Sequence, residues 1–139
     1  MQKQPLLPIA LVSLMLLVVS CQISKLKTQD PFNWAQQILG TYRGKIWSSG
    51  AIASVSTTFK ISHSGFLNGE YQVREDNKTV SGELKSCQEI EKRKIKCNWE
   101  DSYGKGILKA TFSQDYIKFE GVWHLEGQEE NYPWNGVKE

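Results

Sequence analysis

Two alternating segments flank a short polar turn in residues 104–123, which read GKGILKATF, SQD and YIKFEGVW. The side chains of a β-strand alternate between its two faces, so each segment would have one apolar face and one mostly polar face. Two such segments around a short turn predict a β-hairpin. The apolar faces would comprise Gly106, Leu108, Ala110 and Phe112 in the first segment and Ile117, Phe119, Gly121 and Trp123 in the second.

The same alternating pattern recurs from Gly40 to the end of the sequence. The connections between the segments are short and rich in Gly, Ser, Asn and Asp, as in hairpins. Because no connection is long enough for a crossover helix, the strands should form an antiparallel meander. We predict eight strands, over residues 41–48, 53–62, 66–74, 79–86, 94–100, 104–112, 115–123 and 131–137.

Six of the predicted strands carry a glycine on the apolar face, near a large side chain two positions away; these are Gly44, Gly69, Gly82, Gly106, Gly121 and Gly136. A glycine normally weakens a strand, so this repetition needs a reason. A sheet that closes on itself must bend strongly, and inward glycines permit the bend and make space for aromatic side chains. We therefore predict an all-β fold, an antiparallel eight-stranded up-and-down meander barrel; the alternative is an open sheet or sandwich with scattered glycines.

The predicted interior is bulky, which favours a mostly filled barrel with at most a modest pocket at one end. Its side chains would be Tyr42, Ile46, Val55, Phe59, Ile61, Leu67, Tyr71, Val73, Val80, Leu84, Ile95, Trp99, Leu108, Phe112, Ile117, Phe119, Trp123 and Trp134.

The bulk composition narrows the possible partners. The length of 139 residues indicates one domain. Lys and Arg total 17 and Asp and Glu total 15, which gives a formal net charge of +2. So small an excess gives no reason to expect nucleic acid as a partner or a purely electrostatic attachment to membranes.

The first residues are typical of an export signal. Lys3 precedes an uncharged, mainly apolar stretch from Leu6 to Val19, which is shorter than the roughly 20 residues of a membrane-spanning helix. This stretch leads into Val18-Val19-Ser20-Cys21, which resembles the lipobox of bacterial lipoproteins. The resemblance implies cleavage before Cys21, a diacylglyceryl group on its thiol and a fatty-acylated amino terminus. The alternatives are an ordinary signal peptide with an incidental cysteine, or a plain anchor.

The lipobox resemblance also implies a cellular location. Two or three acyl chains on Cys21 would hold the protein firmly on a membrane. Gln22 stands where an Asp would retain an enteric-type lipoprotein in the inner membrane, so the outer membrane, facing the periplasm, is expected. The predicted organisation is a lipoprotein signal peptide at 1–20, a lipidated Cys with its tether at 21–30, and a β-barrel domain at 31–139.

A short helix should open the barrel domain. Asp30 suits the N-cap, Pro31 the first helical position and Gly40 the C-terminal end. Apolar residues fall on one side at helical spacing between these signals. So short a helix is marginal by itself, and we expect its apolar face to pack onto the open end of the barrel.

A short helix, Gly40-Thr41-Tyr42 and an eight-strand meander together resemble the calycin superfamily of lipocalins and avidins. Gly40-x-Tyr42 stands where lipocalins usually carry Gly-x-Trp, and residues 64–71, SGFLNGEY, are similar to an avidin run of Gly, apolar, x, Gly, x, Tyr. The resemblance implies a closed barrel over about residues 40–137. No ligand residue carries over, because the Asn and Ser set that holds biotin in avidins has no convincing counterpart here.

The two remaining cysteines, Cys87 and Cys97, flank a charged, loop-like segment over residues 88–96. An exported protein permits a disulfide, and a hairpin would bring the two cysteines opposite each other. Simple alternation places Cys97 on the face of Trp99 but Cys87 on the face opposite to Leu84. Either a bulge shifts the register, or Cys87 has already left its strand.

The best candidates for a binding surface are aromatic residues near strand ends, namely Trp99, Tyr103, Trp123, Tyr132 and Trp134. Tyr and Trp bury a large area and keep a polar tip, which suits recognition. The alternative is that Trp99, Trp123 and Trp134 are core fillers. Enzyme motifs are lacking: His63 and His124 have no nucleophile pattern beside them, and two thiols without a nearby His fall short of a metal site. No catalytic residue, metal or cofactor is therefore predicted.

Two functions follow from these features. The first is a non-enzymatic, lipid-anchored binding module of the cell envelope, which takes a small apolar or aromatic ligand at the barrel mouth. The second is a protein-interaction module of the periplasm, such as an enzyme inhibitor or an envelope-assembly accessory, which would use the exposed loops 48–51, 88–94 and 126–131. The first hypothesis requires a cavity beside the tryptophans, whereas the second fits a filled barrel.

Overall fold

A computed structural model describes residues 33–139, which form one short helix and eight β-strands. The helix α1 is Asn33–Ile38. The strands β1 to β8 are Gly40–Ser48, Ala51–Ile61, Leu67–Glu75, Lys78–Glu91, Lys94–Asp101, Gly104–Phe112, Lys118–Leu125 and Tyr132–Lys138.

The eight strands form one closed antiparallel barrel, in which each strand pairs with the next and β8 returns to pair with β1. Along the closing seam Tyr42 lies opposite Lys138 and Ile46 lies opposite Trp134. Closure leaves the sheet without an unpaired edge, the feature by which open sheets aggregate. The predicted all-β, up-and-down, eight-stranded barrel is therefore confirmed.

The glycines on the apolar faces occupy positions where no side chain would fit. At all six, an added Cβ would approach another atom closer than 3.0 Å. A Cβ on Gly44 would lie 2.0 Å from the backbone oxygen of Asn135 across the β1–β8 seam, and one on Gly82 would lie 2.2 Å from the ring of Tyr71. The second contact shows a glycine that makes room for an aromatic ring, as predicted. The first shows a role that was not predicted, in which a glycine lets two backbones approach across the seam.

Tyr42 organises the core in the half of the barrel nearest α1. Its ring packs edge-on against Phe59, Phe112 and Phe119, with ring centroids 5.7, 5.7 and 5.4 Å away. Edge-to-face pairs of this kind add to the stabilisation that burial provides. The Tyr42 hydroxyl donates a hydrogen bond of 2.8 Å to the backbone oxygen of Ile38, so the same side chain also fixes the end of the helix.

The short helix closes one end of the barrel, which we call the helix end. Ala35 and Ile38 are almost fully buried in the same core as the strand side chains, as the sequence predicted. The connections at the helix end are residues 62–66, 92–93 and 113–117. The opposite end, which we call the mouth, is bounded by four connections, residues 49–50, 76–77, 102–103 and 126–131.

Cys87 and Cys97 form the predicted disulfide bond, which joins β4 to β5. The pairing of these strands shifts register within residues 85–88, where Ser86 has a positive φ of 52°. This β-bulge turns Cys87 inward, so that both cysteines are buried. The bulge, rather than an early end of the strand, therefore resolves the conflict with simple alternation.

Two sequence-based assignments near hairpin turns are wrong. The charged segment after Cys87 is not a loop, because β4 continues to Glu91 and β5 begins at Lys94; its polar side chains face solvent on paired strands. Ile117, expected in the interior, is 50% exposed. The reason is that Tyr116 takes a positive φ of 59° in the preceding turn, so the alternation of β7 begins only at Lys118.

Several predictions concern residues before Asn33. The signal peptide, the lipidated Cys21, the tether and the helix start at Asp30 and Pro31 all lie outside the described residues. Within residues 33–139, no helix combines the length and apolar character that crossing a membrane requires.

Replacing Gly44 with Ala should destabilise the barrel by roughly 1–3 kcal/mol, the usual cost of overpacking. The new Cβ would meet the Asn135 backbone, which cannot move without opening the β1–β8 seam. Urea unfolding followed by tryptophan fluorescence measures the change. Lys45→Ala, on the exposed face of the same strand, is the control and should stay within about 0.5 kcal/mol of wild type. Equal stability of the two variants would contradict the seam argument.

Candidate functional site

A cavity of about 240 Å³ opens at the mouth of the barrel, and we call it the tryptophan cavity. Its walls come from strands β1, β3, β5, β7 and β8 and from two mouth connections, and they are mainly aromatic and aliphatic. Wider depressions on the outer barrel wall are mostly polar and open to solvent. The lining residues of the tryptophan cavity are Ile46, Trp47, Ser48, Ser49, Tyr71, Val73, Trp99, Asp101, Tyr103, Trp123, Leu125 and Trp134.

Three tryptophans of the cavity wall are each held by a hydrogen bond from the indole N–H. Trp99 and Trp123 also pack edge to face, with ring centroids 5.3 Å apart. These bonds fix the rings and consume their only polar donors, so the rings offer the cavity apolar surface and π electrons. The acceptors are the Thr57 hydroxyl for Trp134 (3.0 Å), the His124 backbone oxygen for Trp99 (3.2 Å) and the Trp47 backbone oxygen for Trp123 (3.1 Å).

Tyr71 and Asp101 place a polar pair at the inner side of the cavity. The buried hydroxyl of Tyr71 donates a hydrogen bond of 2.7 Å to one carboxylate oxygen of Asp101. The other carboxylate oxygen accepts a bond of 2.8 Å from the backbone N–H of Tyr103. Burial, together with the hydrogen bond to Asp101 and its charge, raises the pKa of Tyr71 far above its ordinary value. Tyr71 therefore stays protonated and serves as a donor to Asp101.

The carboxylate of Glu75, at the end of β3, ties two connections of the mouth together. One of its oxygens accepts hydrogen bonds from the hydroxyls of Ser48 (2.9 Å) and Ser49 (3.0 Å), and the other accepts a bond of 2.8 Å from the hydroxyl of Tyr103. The Tyr103 bond first, then the serine bonds and the charge of Lys78, hold the pKa of Glu75 below its ordinary value. Glu75 thus remains ionised and braces the rim of the cavity.

A second aromatic stack lies just outside the cavity. Tyr132 stacks on Trp47 with ring centroids 6.2 Å apart and planes 4° from parallel, and it also contacts Trp123 at 4.9 Å. Trp47 and Trp123 are partly exposed lining residues, whereas Tyr132 supports them from behind. The stack therefore holds the outer wall of the cavity in place.

The structure brings together four of the five aromatic residues proposed from the sequence. Trp99, Tyr103, Trp123 and Trp134 line the tryptophan cavity, and Tyr132 lies one layer behind them. Trp99 and Trp134 are also almost fully buried, so they act as core side chains and as cavity wall at once.

The sequence did not predict that Trp47 and Asp101 would line the cavity. Trp47 follows the inward-facing Ile46, so alternation assigns it to the outer face; its stacking partner Tyr132 lies far away in the sequence. Asp101 stands at the end of β5 beside Glu100, and a pair of adjacent acids on a strand gives no sign that one of them faces a cavity. The only available signal was their position at strand ends, where a barrel mouth lies.

Charge is distributed unevenly between the two ends of the barrel. The four mouth connections carry four carboxylates, those of Asp76, Glu126, Glu129 and Glu130, and no Lys or Arg. The helix-end connections carry Lys92 and Arg93 with Asp115 as their single acid. The field at the mouth should therefore attract cations and repel anions.

Within residues 33–139, no group of three or more His, Cys, Asp or Glu side chains could hold a metal ion. Comparison of the chain with protein-family models, curated proteins and solved structures gave no match. The small, closed, eight-stranded antiparallel barrel is compatible with a calycin-like fold. Function must therefore be argued from the tryptophan cavity and its surroundings.

Replacing Glu75 with Gln should cost about 1 kcal/mol of unfolding free energy at neutral pH, because charge-assisted hydrogen bonds at the rim are lost. A carboxyl whose folded pKa is lowered stabilises the fold above its ordinary value near 4.5, and this contribution disappears as pH falls through the lowered value. The difference between wild type and variant should therefore shrink in acid. Urea unfolding at a series of pH values measures it.

Glu89→Gln, at an exposed position on β4, is the control for this series and should follow wild type at every pH. If the unfolding free energy lost in Glu75→Gln did not change with pH, the rim would depend on the shape of the Glu75 side chain rather than on its charge.

Proposed function

We propose that this protein is a lipid-anchored lipoprotein of the bacterial cell envelope whose barrel binds a small, mainly apolar ligand in the tryptophan cavity without chemical turnover. The observation that carries the proposal is the cavity itself, an aromatic-walled space at one end of an otherwise filled barrel. Concave, mostly apolar sites with a few placed polar groups are the usual form of small-molecule sites.

The volume of the cavity limits the size of the ligand. At about 240 Å³ it exceeds the roughly 150 Å³ of a dry cavity that binds benzene and falls below the roughly 300 Å³ at which typical drug-sized sites begin. A ligand with one ring or a short branched chain would fill it. A long acyl chain would not fit, because aromatic side chains around Tyr42 occupy the rest of the interior.

The polar groups near the cavity favour binding over catalysis. The hydroxyls of Tyr71 and Tyr103 already donate to carboxylates. Covalent catalysis needs a nucleophile beside a base. In the part of the chain that the structure describes, a ring nitrogen of His124 lies 3.0 Å from the Leu125 backbone oxygen rather than beside a Ser or Cys side chain.

The lipobox resemblance at Cys21 and the position of α1 indicate to which end of the barrel the proposed lipid anchor is attached. Cys21 precedes Asn33 by 12 residues, so even a fully extended chain would reach no more than about 40 Å. The chain enters the described domain at the helix end, where the apolar side chains of Phe66 and Ile117 are 64% and 50% exposed. A lipid on Cys21 would thus attach the domain to the membrane through its helix end, at the end of the barrel opposite to the mouth.

A second candidate function is a protein-interaction module. It is favoured by the outer face of the barrel, where Ile90 and Val122 are 47% and 39% exposed and line one shallow depression with Pro133. Native mass spectrometry after exposure to envelope extract separates the candidates, because a bound small molecule supports the cavity and a bound protein supports the outer face.

Replacing Trp123 with Leu should weaken binding of single-ring aromatic ligands at least tenfold, a loss of about 1.4 kcal/mol, because one cavity wall is removed. Isothermal titration calorimetry against a panel such as benzyl alcohol, phenol and benzylamine measures this loss. Trp34→Leu, a partly buried tryptophan of α1 outside the cavity, should leave binding unchanged. Binding that is insensitive to Trp123 but reduced by Trp34→Leu would place the ligand elsewhere.

Replacing Cys21 with Ser should release the protein from the membrane fraction, because the thiol that would carry the diacylglyceryl group is gone. Cell fractionation followed by immunoblotting measures the distribution. Ser20→Ala retains a small residue before the cleavage site and should stay membrane-bound. Continued membrane attachment of the Cys21→Ser variant would rule out lipidation at this residue.

A further inference from the structure

The hydrogen-bond donors of the tryptophan cavity are almost all occupied. The indole N–H groups of Trp99, Trp123 and Trp134 bond to barrel acceptors. The hydroxyls of the lining serines and tyrosines donate to the carboxylates of Glu75 and Asp101. Among the described lining side chains, only the indole N–H of Trp47 has no assigned acceptor. A ligand with a carboxylate or phosphate group would lose its hydrating water on entering the cavity. It would therefore find almost no side-chain donor to replace those hydrogen bonds.

The lining of the cavity carries a negative charge. Asp101 is the only charged residue of the lining, and its two partners are neutral donors, the Tyr71 hydroxyl and the Tyr103 backbone N–H. Each carboxylate oxygen accepts one bond of the two that it can accept, so capacity remains. In the described part of the chain no Lys or Arg forms an ion pair with Asp101. Its negative charge is therefore not cancelled locally.

Two basic side chains close to the mouth, Lys78 and Lys105, are engaged by other groups. The ammonium of Lys78 lies 3.9 Å from Glu75 and 5.1 Å from the centre of the Tyr103 ring. The ammonium of Lys105 lies 3.4 Å from Glu126. The position of Lys78 also demonstrates that an aromatic ring at this rim accommodates a cation at contact distance.

We propose that the ligand of the tryptophan cavity is a small organic cation, an amine whose nitrogen carries apolar substituents. This inference rests on the proposed binding function and specifies its ligand class. The cation would contact the partly exposed rings of Trp47 and Trp123, with the Asp101 carboxylate as its counter-ion. Aromatic rings attract cations through the negative potential of their faces, and the effect is strongest when the cation is desolvated. Of the four carboxylates of the mouth connections, Glu126 pairs with Lys105, and the other three would concentrate such a ligand at the entrance.

A neutral ligand of the same shape would gain the apolar contact but neither the cation–π attraction nor the pairing with Asp101. An anion of the same shape would meet repulsion at the mouth and at Asp101. The cavity should therefore rank three ligands of equal shape in the order cation, neutral molecule, anion, although a purely hydrophobic cavity would prefer the neutral molecule.

The test uses three molecules that share a head with three methyl groups on one central atom: choline, its neutral carbon analogue 3,3-dimethylbutan-1-ol and the anion 3,3-dimethylbutanoate. Each is titrated into the full-length chain, purified in a neutral detergent, with intrinsic tryptophan fluorescence and calorimetry as readouts. Choline should bind at least tenfold more tightly than the alcohol, and the anion should bind most weakly. Choline binding should also weaken as salt is added, whereas binding of the alcohol should not.

Asp101→Asn keeps an acceptor for the Tyr103 N–H and removes the charge, so it should weaken choline binding about tenfold more than it weakens binding of the alcohol. Glu89→Gln removes a carboxylate from the exposed face of β4, outside the cavity and the mouth connections, and is the matched control, which should leave choline binding unchanged. Equal affinity for choline and the alcohol, or a choline affinity that is insensitive to Asp101→Asn, would overturn the cation assignment and leave the binding function standing. If none of the three probes binds, the cation assignment fails, and the single-ring panel then decides separately whether the cavity binds ligands at all.

Discussion

The closure of β1 onto β8 is the constraint on which the rest of the structure depends. Two backbones meet there so closely that a Cβ on Gly44 would lie 2.0 Å from the Asn135 oxygen, and one on Gly136 would lie 2.8 Å from the Cβ of Tyr42. The seam is therefore possible only with glycine on the inward face. Once the sheet is closed, each strand has an enclosed inner face and a solvated outer face, which explains the regular alternation of burial along the strands.

The two ends of the closed barrel are completed by different kinds of interaction. Apolar packing completes the helix end, where Ile38 and the aromatic group around Tyr42 fill the interior. Hydrogen bonds to carboxylates complete the mouth, where Glu75 and Asp101 hold the rim. The cavity remains at the mouth because hydrogen bonds can brace a rim without filling the space inside it. The same bonds occupy the hydrogen-bond donors of the rim. They therefore both hold the mouth in shape and leave it with few donors for an anion.

Alternation and inward glycines were sufficient to predict the barrel, its strand order and most of its interior, because both signals are repeated in many strands. They failed where one local conformation changes the register. The bulge at Ser86 turns Cys87 inward, and the turn at Tyr116 exposes Ile117. The aromatic part of the candidate site was predictable from strand ends. Asp101 was not, because its significance depends on Tyr71 and Tyr103, which meet it only after the barrel closes.

The proposed anchor and the proposed ligand class constrain each other. A lipid on Cys21 would attach the domain to the membrane at its helix end, and the filled half of the barrel lies between that attachment and the cavity. A membrane-dissolved ligand would then have no path through the interior to the tryptophans. A water-soluble ligand would approach the mouth directly, where Asp101 and three mouth carboxylates that form no ion pair among the described residues favour cations. An amine that is soluble because it is charged, yet carries apolar groups that the tryptophans can cover, satisfies both constraints.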